Sequence, residues 1–467
     1  MAKINKVASA GIGYTVGNVL IKGLAFLTLP VFTRLMSLSD YGLYTTYAAY
    51  ESIIVLLTSL GLPSSLKSAN LYFPRMIEQY VSSVSLLPIL STLIFLFIAY
   101  VVSLFAPNIW GFTDNIVFVM IIQALGSAMI TMYNCRVSLD FSYKSFLKIS
   151  LLSSVGNVFL SLLFILTICS ENPFEGRVYG TFVPTFLLGI FISLHFFRKA
   201  KPSFNKVFIK YGISYGLPLV PHGLSQLVLS QFGKIIIQNK IGNEAAGLYG
   251  LAYTVALIPQ IIVQSLALAW GPWFFEAYRD NKIDTIKNKT KDYVNGFSLL
   301  TIILFCISPE LIKLLSDRSY WEAISIVCPA ILGVYFIFLY GLPVEIEYYY
   351  RKTSYLAVGT IIAAIVDIIL CIMFVPVYGY HAAVYVTVFT YALYFALHMY
   401  IAYRLTNRKL PFGLKYIFIS ALTVIILCFT FQFLSEYWYV RYPITIAVIF
   451  FAALQFKDYI MIFFNKK

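Results

Sequence analysis

Charge is what this sequence has least of. Asp, Glu, Lys and Arg make up 12% of its 467 residues, against about 25% in a soluble domain. No charged residue occurs from Gln79 to Thr113, from Ala245 to Phe275 or from Ile368 to Tyr403. Uncharged apolar runs of roughly 18 residues or more mark membrane-crossing segments. Hydrophobic residues reach 60%, and the mean hydropathy is +0.82. Lipid cannot satisfy backbone hydrogen bonds, so such segments cross as helices or as closed barrels. No alternating strand pattern is visible, so the expected class is an all-α polytopic membrane protein. Other absences narrow the chemistry. The six cysteines (Cys135, Cys169, Cys306, Cys328, Cys371 and Cys428) form no C-x-x-C pair. They read as small core hydrophobes rather than disulfides or metal ligands. There is no G-x-x-x-x-G-K-[ST] and no H-E-x-x-H, so neither ATP hydrolysis nor a zinc site is indicated. No cofactor is expected.

What is present is an ordered excess of positive charge, +14 overall. Fourteen spans are expected, near 10–32, 41–62, 80–105, 115–134, 147–169, 178–197, 212–237, 245–269, 292–313, 322–343, 354–375, 379–401, 415–434 and 442–461, each about 20 residues long. With the N-terminus cytoplasmic, 26 of the 34 Lys and Arg fall in cytoplasmic segments and 6 on the opposite face. That split follows the positive-inside rule and supports an even count with both ends inside. It also explains the basicity without nucleic acid as a partner. Lys3 and Lys6 precede an apolar segment that itself carries Lys22, which reads as a first span rather than a cleaved signal. The segments near 198–211 and 270–291 mix charge with aromatics, including Trp270, Trp273, Phe274 and Phe275. They are expected to lie on the bilayer surface.

A faint repeat is visible. Gly42-Leu43-Tyr44 follows the first span, and Gly247-Leu248-Tyr249 follows the seventh, at an offset of 205 residues. A six-span period keeps both halves in the same orientation, so the repeat is parallel about an axis along the membrane normal. The expected divisions are 1–210 (spans one to six), 211–405 (seven to twelve) and 406–467 (the last two).

The opening residues carry a resemblance. Gly13-Tyr14-Thr15-Val16-Gly17-Asn18 leads into Leu24-Ala25-Phe26-Leu27-Thr28-Leu29-Pro30-Val31-Phe32-Thr33-Arg34-Leu35 and then Asp40-Tyr41-Gly42-Leu43-Tyr44. This resembles the start of Wzx-type O-antigen and capsular polysaccharide flippases, within the multidrug/oligosaccharidyl-lipid/polysaccharide (MOP) superfamily. The rest of the chain resembles that family in topology and length. The resemblance implies two six-helix lobes around a central cavity plus two C-terminal helices. It implies an activity too: moving undecaprenyl-pyrophosphate-linked oligosaccharide across the bacterial cytoplasmic (inner) membrane by alternating access, in company with a polysaccharide polymerase and glycosyltransferases.

Ionisable groups within spans are candidates by default, because burying charge in lipid is expensive. Asn18 and Lys22 lie one turn apart on the first span, with Thr15 and Gly11 extending the face. Such a stripe suits a wet cavity, and a cation there suits a pyrophosphate. The alternative is that Lys22 pairs with Glu51 and only joins two helices. Glu51, mid-way along the second span, and Asp367, in the eleventh, are candidates for ion coupling or for structural polar contacts. On the seventh span His222, Gln226, Ser230 and Lys234 recur every four residues, beside Gln231 and Gln238, with Pro218 and Pro221 breaking the helix. On the eighth, Tyr249, Tyr253, Gln260 and Gln264 share a face with Pro259 nearby. Gln and Tyr suit sugar hydroxyls, although interhelical hydrogen bonding would use the same residues. Arg34 either grips phosphate or anchors a helix end. His195, His381 and His398 read as interface residues, and Tyr348-Tyr349-Tyr350 as part of the aromatic belt. A MATE-like drug or metabolite antiporter is the nearest alternative, but drug cations favour negative cavities. A membrane polymerase or glycosyltransferase is disfavoured by the short outer loops.

Overall fold

Helix starts are set locally by capping chemistry. Ser37 Oγ accepts from the Asp40 amide at 3.1 Å, and the Asp40 carboxylate accepts from the Ser37 amide and hydroxyl at 3.3 and 2.7 Å. This reciprocal box begins α2 (Leu38–Ser59) after α1 (Ala2–Leu35). Asn172 caps α8 (Pro173–Lys199), with proline at its first position, and Asn205 caps α9 (Lys206–Gly216).

The computed structural model describes residues 2–108 and 110–455. The remaining helices are α3 (Leu62–Tyr72), α4 (Ile77–Val84), α5 (Leu86–Phe105), α6 (Asp114–Leu139), α7 (Tyr143–Leu166), α10 (Val220–Lys240), α11 (Asn243–Arg279), α12 (Ile283–Leu315), α13 (Ile324–Tyr349), α14 (Thr353–Leu405), α15 (Leu414–Phe433) and α16 (Trp438–Gln455). No strand appears among the described residues.

Among the described residues, eleven helical stretches are long and apolar enough to cross a membrane. Three features separate that number from the fourteen expected spans. One stretch, α14, is two helices broken at Gly379 (φ 69°, ψ −161°). Gly359 meets His398 and Thr360 bonds Tyr394 at 2.8 Å, so the two halves form an antiparallel hairpin. The α10 helix, the expected seventh span, is too polar to count by hydropathy. The fourteenth, α16, is short by the same measure over Trp438–Leu454. Residues 456–461 of that expected span lie outside the described residues.

Contacts fix the running directions. A Cβ on Gly13 would meet Tyr143 and one on Gly17 would meet Leu147, so α1 and α7 are parallel. Gly156 faces Pro184 and Gly180 faces Ser161, so α7 and α8 are antiparallel. Tyr50 bonds Asn239, and Leu56 packs on Gly223, so α2 and α10 are antiparallel. In these pairs of the first unit, odd-numbered spans run one way and even-numbered spans the other, in the sense the loop charges require.

One expectation holds and one needs correction. The break expected at Pro218 and Pro221 is present, and it divides the seventh span into α9, a single 3₁₀ turn at Leu217–Leu219, and α10. The segment 270–291 is not a separate surface element. It is the end of α11 and the start of α12, helices of 37 and 33 residues. At 1.5 Å per residue α11 is about 55 Å long, well beyond a hydrocarbon core.

By packing, the chain forms two compact units, Met1–Gly247 and Leu248–Lys467. The first therefore includes α10, whereas the divisions at 210 and 405 follow the span repeat. In the second unit α13 is the most enclosed helix, buried along almost its whole length. Arg441, 1% exposed, holds α16 to α12 through Glu310 at 2.6 Å.

The repeat has a structural counterpart. A Cβ on Gly42 would clash with the Asn243 carbonyl oxygen, and one on Gly247 would fall 2.5 Å from that of Leu38. Leu38 and Asn243, like Gly42 and Gly247, are 205 residues apart. The contact therefore maps onto itself under the repeat, as an isologous contact does between identical subunits. Glycine is required on both sides because the backbones touch.

Candidate functional site

In the first unit the polar groups of α2 and α6 meet in register. Tyr47 and Glu51 are one helical turn apart, and so are Gln123 and Ser127. Tyr47 OH donates to Gln123 Oε1 at 2.9 Å, and Ser127 Oγ donates to Glu51 Oε1 at 2.7 Å. Tyr47 is 1% exposed. Tyr50, on a neighbouring face of α2, stacks on Trp110 with ring centroids 5.4 Å apart and accepts from Asn239 Nδ2 at 3.2 Å.

The α10 helix carries its polar residues as a linked file. His222 Nε2 lies 3.3 Å from Gln226 Nε2, Ser230 Oγ donates to the Gln226 carbonyl at 3.1 Å, and Gln231 Nε2 donates to Ser230 Oγ at 3.4 Å. Lys234 Nζ then donates to Gln231 Oε1 at 3.0 Å. Lys234 is half-buried and Gln226 exposed. Gln238 is buried against Gly111.

On α1, Asn18 is exposed and Lys22 half-buried. They lie about 140° around the helix from the Gly13–Gly17 face that packs on α7, at 100° per residue. The Gly11 and Thr15 side chains lie outside the described residues. Arg34 is exposed, and its Nη1 donates to the Pro30 carbonyl at 2.9 Å, tying off the end of its own helix. At this end the structure reveals a cation that no motif or spacing singled out. The Arg177 guanidinium lies 3.6 Å from the Phe32 ring centre and 4.7 Å from that of Tyr44, bracing α8 against α1 and α2.

The second unit buries a different set. Tyr249, 2% exposed, stacks on Tyr253 at 4.4 Å and reaches Thr387 at 3.4 Å. It is therefore part of this unit's interior. Gln260 is half-buried and Gln264 exposed. Asp367, 1% exposed, accepts from the Cys371 thiol at 3.9 Å.

His398 is not the helix-end interface residue that its position suggested. It is fully enclosed, with Nδ1 2.6 Å from Glu347 Oε1, and both side chains are 0% exposed. Gly359 makes room for its ring, and Tyr340 and Tyr394 present their rings edge-on at 5.0 and 4.7 Å. Pairing offsets much of the cost of burying either group. No spacing rule points from Glu347 to His398, because the pair forms only once α13 and α14 are side by side.

Comparison with known proteins agrees with this architecture. "Lsg locus putative protein 1" of Haemophilus influenzae is 23% identical over 360 residues, covering 72% of this chain and 86% of that protein. An "uncharacterized membrane protein" of the same organism is 20% identical over 321 residues, covering 66% and 73%. Among solved structures, "Lipid II flippase MurJ, inward closed conformation" superposes with a TM-score of 0.69 at 15% identity, covering 96% of this chain and all of that one. An inward-facing MATE family multidrug resistance transporter of the MOP superfamily gives 0.60 at 14%, covering 86% and all of that chain. These two show the fold. Residues 8–278, more than half of the sequence, match the family described as polysaccharide biosynthesis protein. The chain is a multi-pass membrane protein that shares the fold of these two solved structures, and it belongs to the polysaccharide biosynthesis protein family.

Proposed function

We propose that the chain flips a lipid-linked oligosaccharide, carried on undecaprenyl pyrophosphate, across the bacterial cytoplasmic membrane by alternating access. The observation that carries this reading is the polar file on α10, which places Lys234 at the end of a run of hydrogen-bonding side chains inside a membrane helix. A purely structural helix in lipid would not need so many polar groups. A carrier of a diphosphate with hydroxylated sugars does need cations and amides. Lys22 and Asn18 supply the same chemistry on α1. His222, Gln226 and Ser230 on α10, and Gln260 and Gln264 on α11, are the groups we assign to hydrogen bonding with sugar hydroxyls. Arg34 engages phosphate at the helix mouth. Because the sequence has no phosphate-binding loop for ATP, the driving force is an ion gradient, with Glu51 and Asp367 as the coupling groups. A polysaccharide polymerase and glycosyltransferases of O-antigen or capsule assembly are the working partners.

The test is in cells. Deletion should leave sugar units on lipid at the cytoplasmic leaflet. K22A and K234A should each reduce export while the protein stays inserted, and the double variant should reduce it further. Normal glycan export by the double variant would overturn the reading.

A further inference from the structure

Three helices of the second unit end in the same way on the face rich in Lys and Arg. After α11, α13 and α14 come Asn281 (φ 53°), Arg351 (φ 57°) and Asn407 (φ 50°), all in the left-handed region. In each case the next amide bonds back five residues: Lys282 to the Ala277 carbonyl at 2.9 Å, Lys352 to Glu347 at 2.9 Å, and Arg408 to Tyr403 at 2.8 Å. These closures turn the chain sharply and gather three connections around one hollow of about 830 Å³.

The hollow is basic and aromatic. Arg279, Lys287, Arg408 and Lys409 line it, from the end of α11, the start of α12 and the α14–α15 connection, and no Asp or Glu does. Tyr278, Tyr349, Tyr350 and Tyr403 add hydroxyl groups to the wall, beside Asn281 and Thr406. The Tyr278 and Tyr350 hydroxyls lie 3.1 Å apart, so their protons can turn together towards one acceptor. Beneath, the buried Phe274 and Phe412 rings pack at 5.7 Å and hold the loops in place. The nearby acids do little to neutralise the site. Asp280 pairs with Arg279 at 3.1 Å and with Lys282 at 3.1 Å, and Asp284 reaches Lys287 at 3.7 Å with 96% of its own side chain exposed. Exposed pairs of this kind are weak.

A plainer account is that these cations only complement helix carbonyl ends. That fits Arg279, in the last turn of α11. It does not fit Lys287, near the N-terminus of α12, nor Arg408 and Lys409, which lie beyond the last turn of α14.

We propose that this hollow binds a phosphate group carried at the membrane surface. Arg and Lys grip the phosphate oxygens, and the tyrosine hydroxyls donate to them. The phosphate comes either from the headgroup of an anionic phospholipid or from a diphosphate that is soluble or sugar-bearing. The proposal does not rest on the transport reading, because binding here needs neither Lys22 nor Lys234.

The experiment uses the full chain in nanodiscs of uncharged phosphatidylcholine. Inorganic pyrophosphate and a short-chain phosphatidylglycerol are titrated separately, and the Tm is followed. A saturable rise in Tm with either probe is expected. R408A/K409A should weaken the apparent affinity about tenfold or more, which is about 1.4 kcal/mol. R279A, on a different connection, should weaken it in the same direction, so one misfolded variant does not decide the matter. The rise should persist in K22A/K234A. A response to the lipid alone supports the lipid headgroup as source. A response to pyrophosphate alone supports a diphosphate, and a response to both supports recognition of phosphate itself. No rise with either probe, or equal affinity in wild type and both arginine-site variants, overturns the proposal.

Discussion

Glu347 and His398 show most plainly what single residues contribute. Their side chains are fully buried and 2.6 Å apart, so each is tolerated in the interior because of the other. Removing one partner of such a pair leaves an uncompensated polar group and costs about 3–5 kcal/mol. H398A is therefore expected to lower Tm markedly in detergent. Y100A, at an exposed site on α5, should not, and equal Tm values for the two variants would remove the pair from the account. Glu51 differs, because its recorded donor is a hydroxyl, Ser127 Oγ, at 2.7 Å. Loss of one such bond costs about 1–3 kcal/mol when the acceptor stays buried. If Glu51 couples transport to an ion, E51Q should fold yet change how export depends on the proton gradient. An unchanged dependence would leave Glu51 a structural role. The ionisable residues on spans were legible in the sequence as a list. Their partners were not, because Gln123, Ser127 and Glu347 lie 76, 76 and 51 residues from theirs.

Elements were legible where local chemistry decides them. Ser37 and Asp40 announce the start of α2, and Pro218 and Pro221 announce the break before α10. Hydropathy alone would have missed α10, since its polar file lowers the apolar signal, and the alternation of loop charge recovers it. The resembling motif Asp40-Tyr41-Gly42 gains a physical meaning. Asp40 closes a capping box, and Gly42 lets α2 touch the first turns of α11. Because the contact is reciprocal, G42A and G247A should have similar effects. A Cβ at either site falls within 2.5 Å of a backbone carbonyl oxygen, a clash of the kind that typically costs about 1–3 kcal/mol or more. Each should reduce the monodisperse fraction on size-exclusion chromatography. A normal profile for both would mean that the crossing is looser than described. The lengths of α11 and α12 were not legible, because charge and aromatics near 270–291 look alike on a surface segment and on a helix that projects from the bilayer.

At the scale of the whole molecule the sequence carried more than any single element did. Loop charge, span count and the Gly-Leu-Tyr echo together specified fourteen helices in alternating directions, and the pairings of α1 with α7, α7 with α8 and α2 with α10 agree with that order. Single-cysteine substitutions at Lys282 and Lys313, in a background lacking the six native cysteines, should be labelled by impermeant maleimide from opposite sides of the membrane. Labelling from the same side would break the topology. The most direct measurement of the central claim is transport itself. In proteoliposomes holding a fluorescent short-chain polyprenyl-pyrophosphoryl sugar, the wild-type chain should move the probe between leaflets. K22A/K234A should slow it about tenfold or more, equivalent to about 1.4 kcal/mol in the barrier. An undiminished rate in the double variant would contradict the account, for the diphosphate would then cross without the two lysines assigned to it.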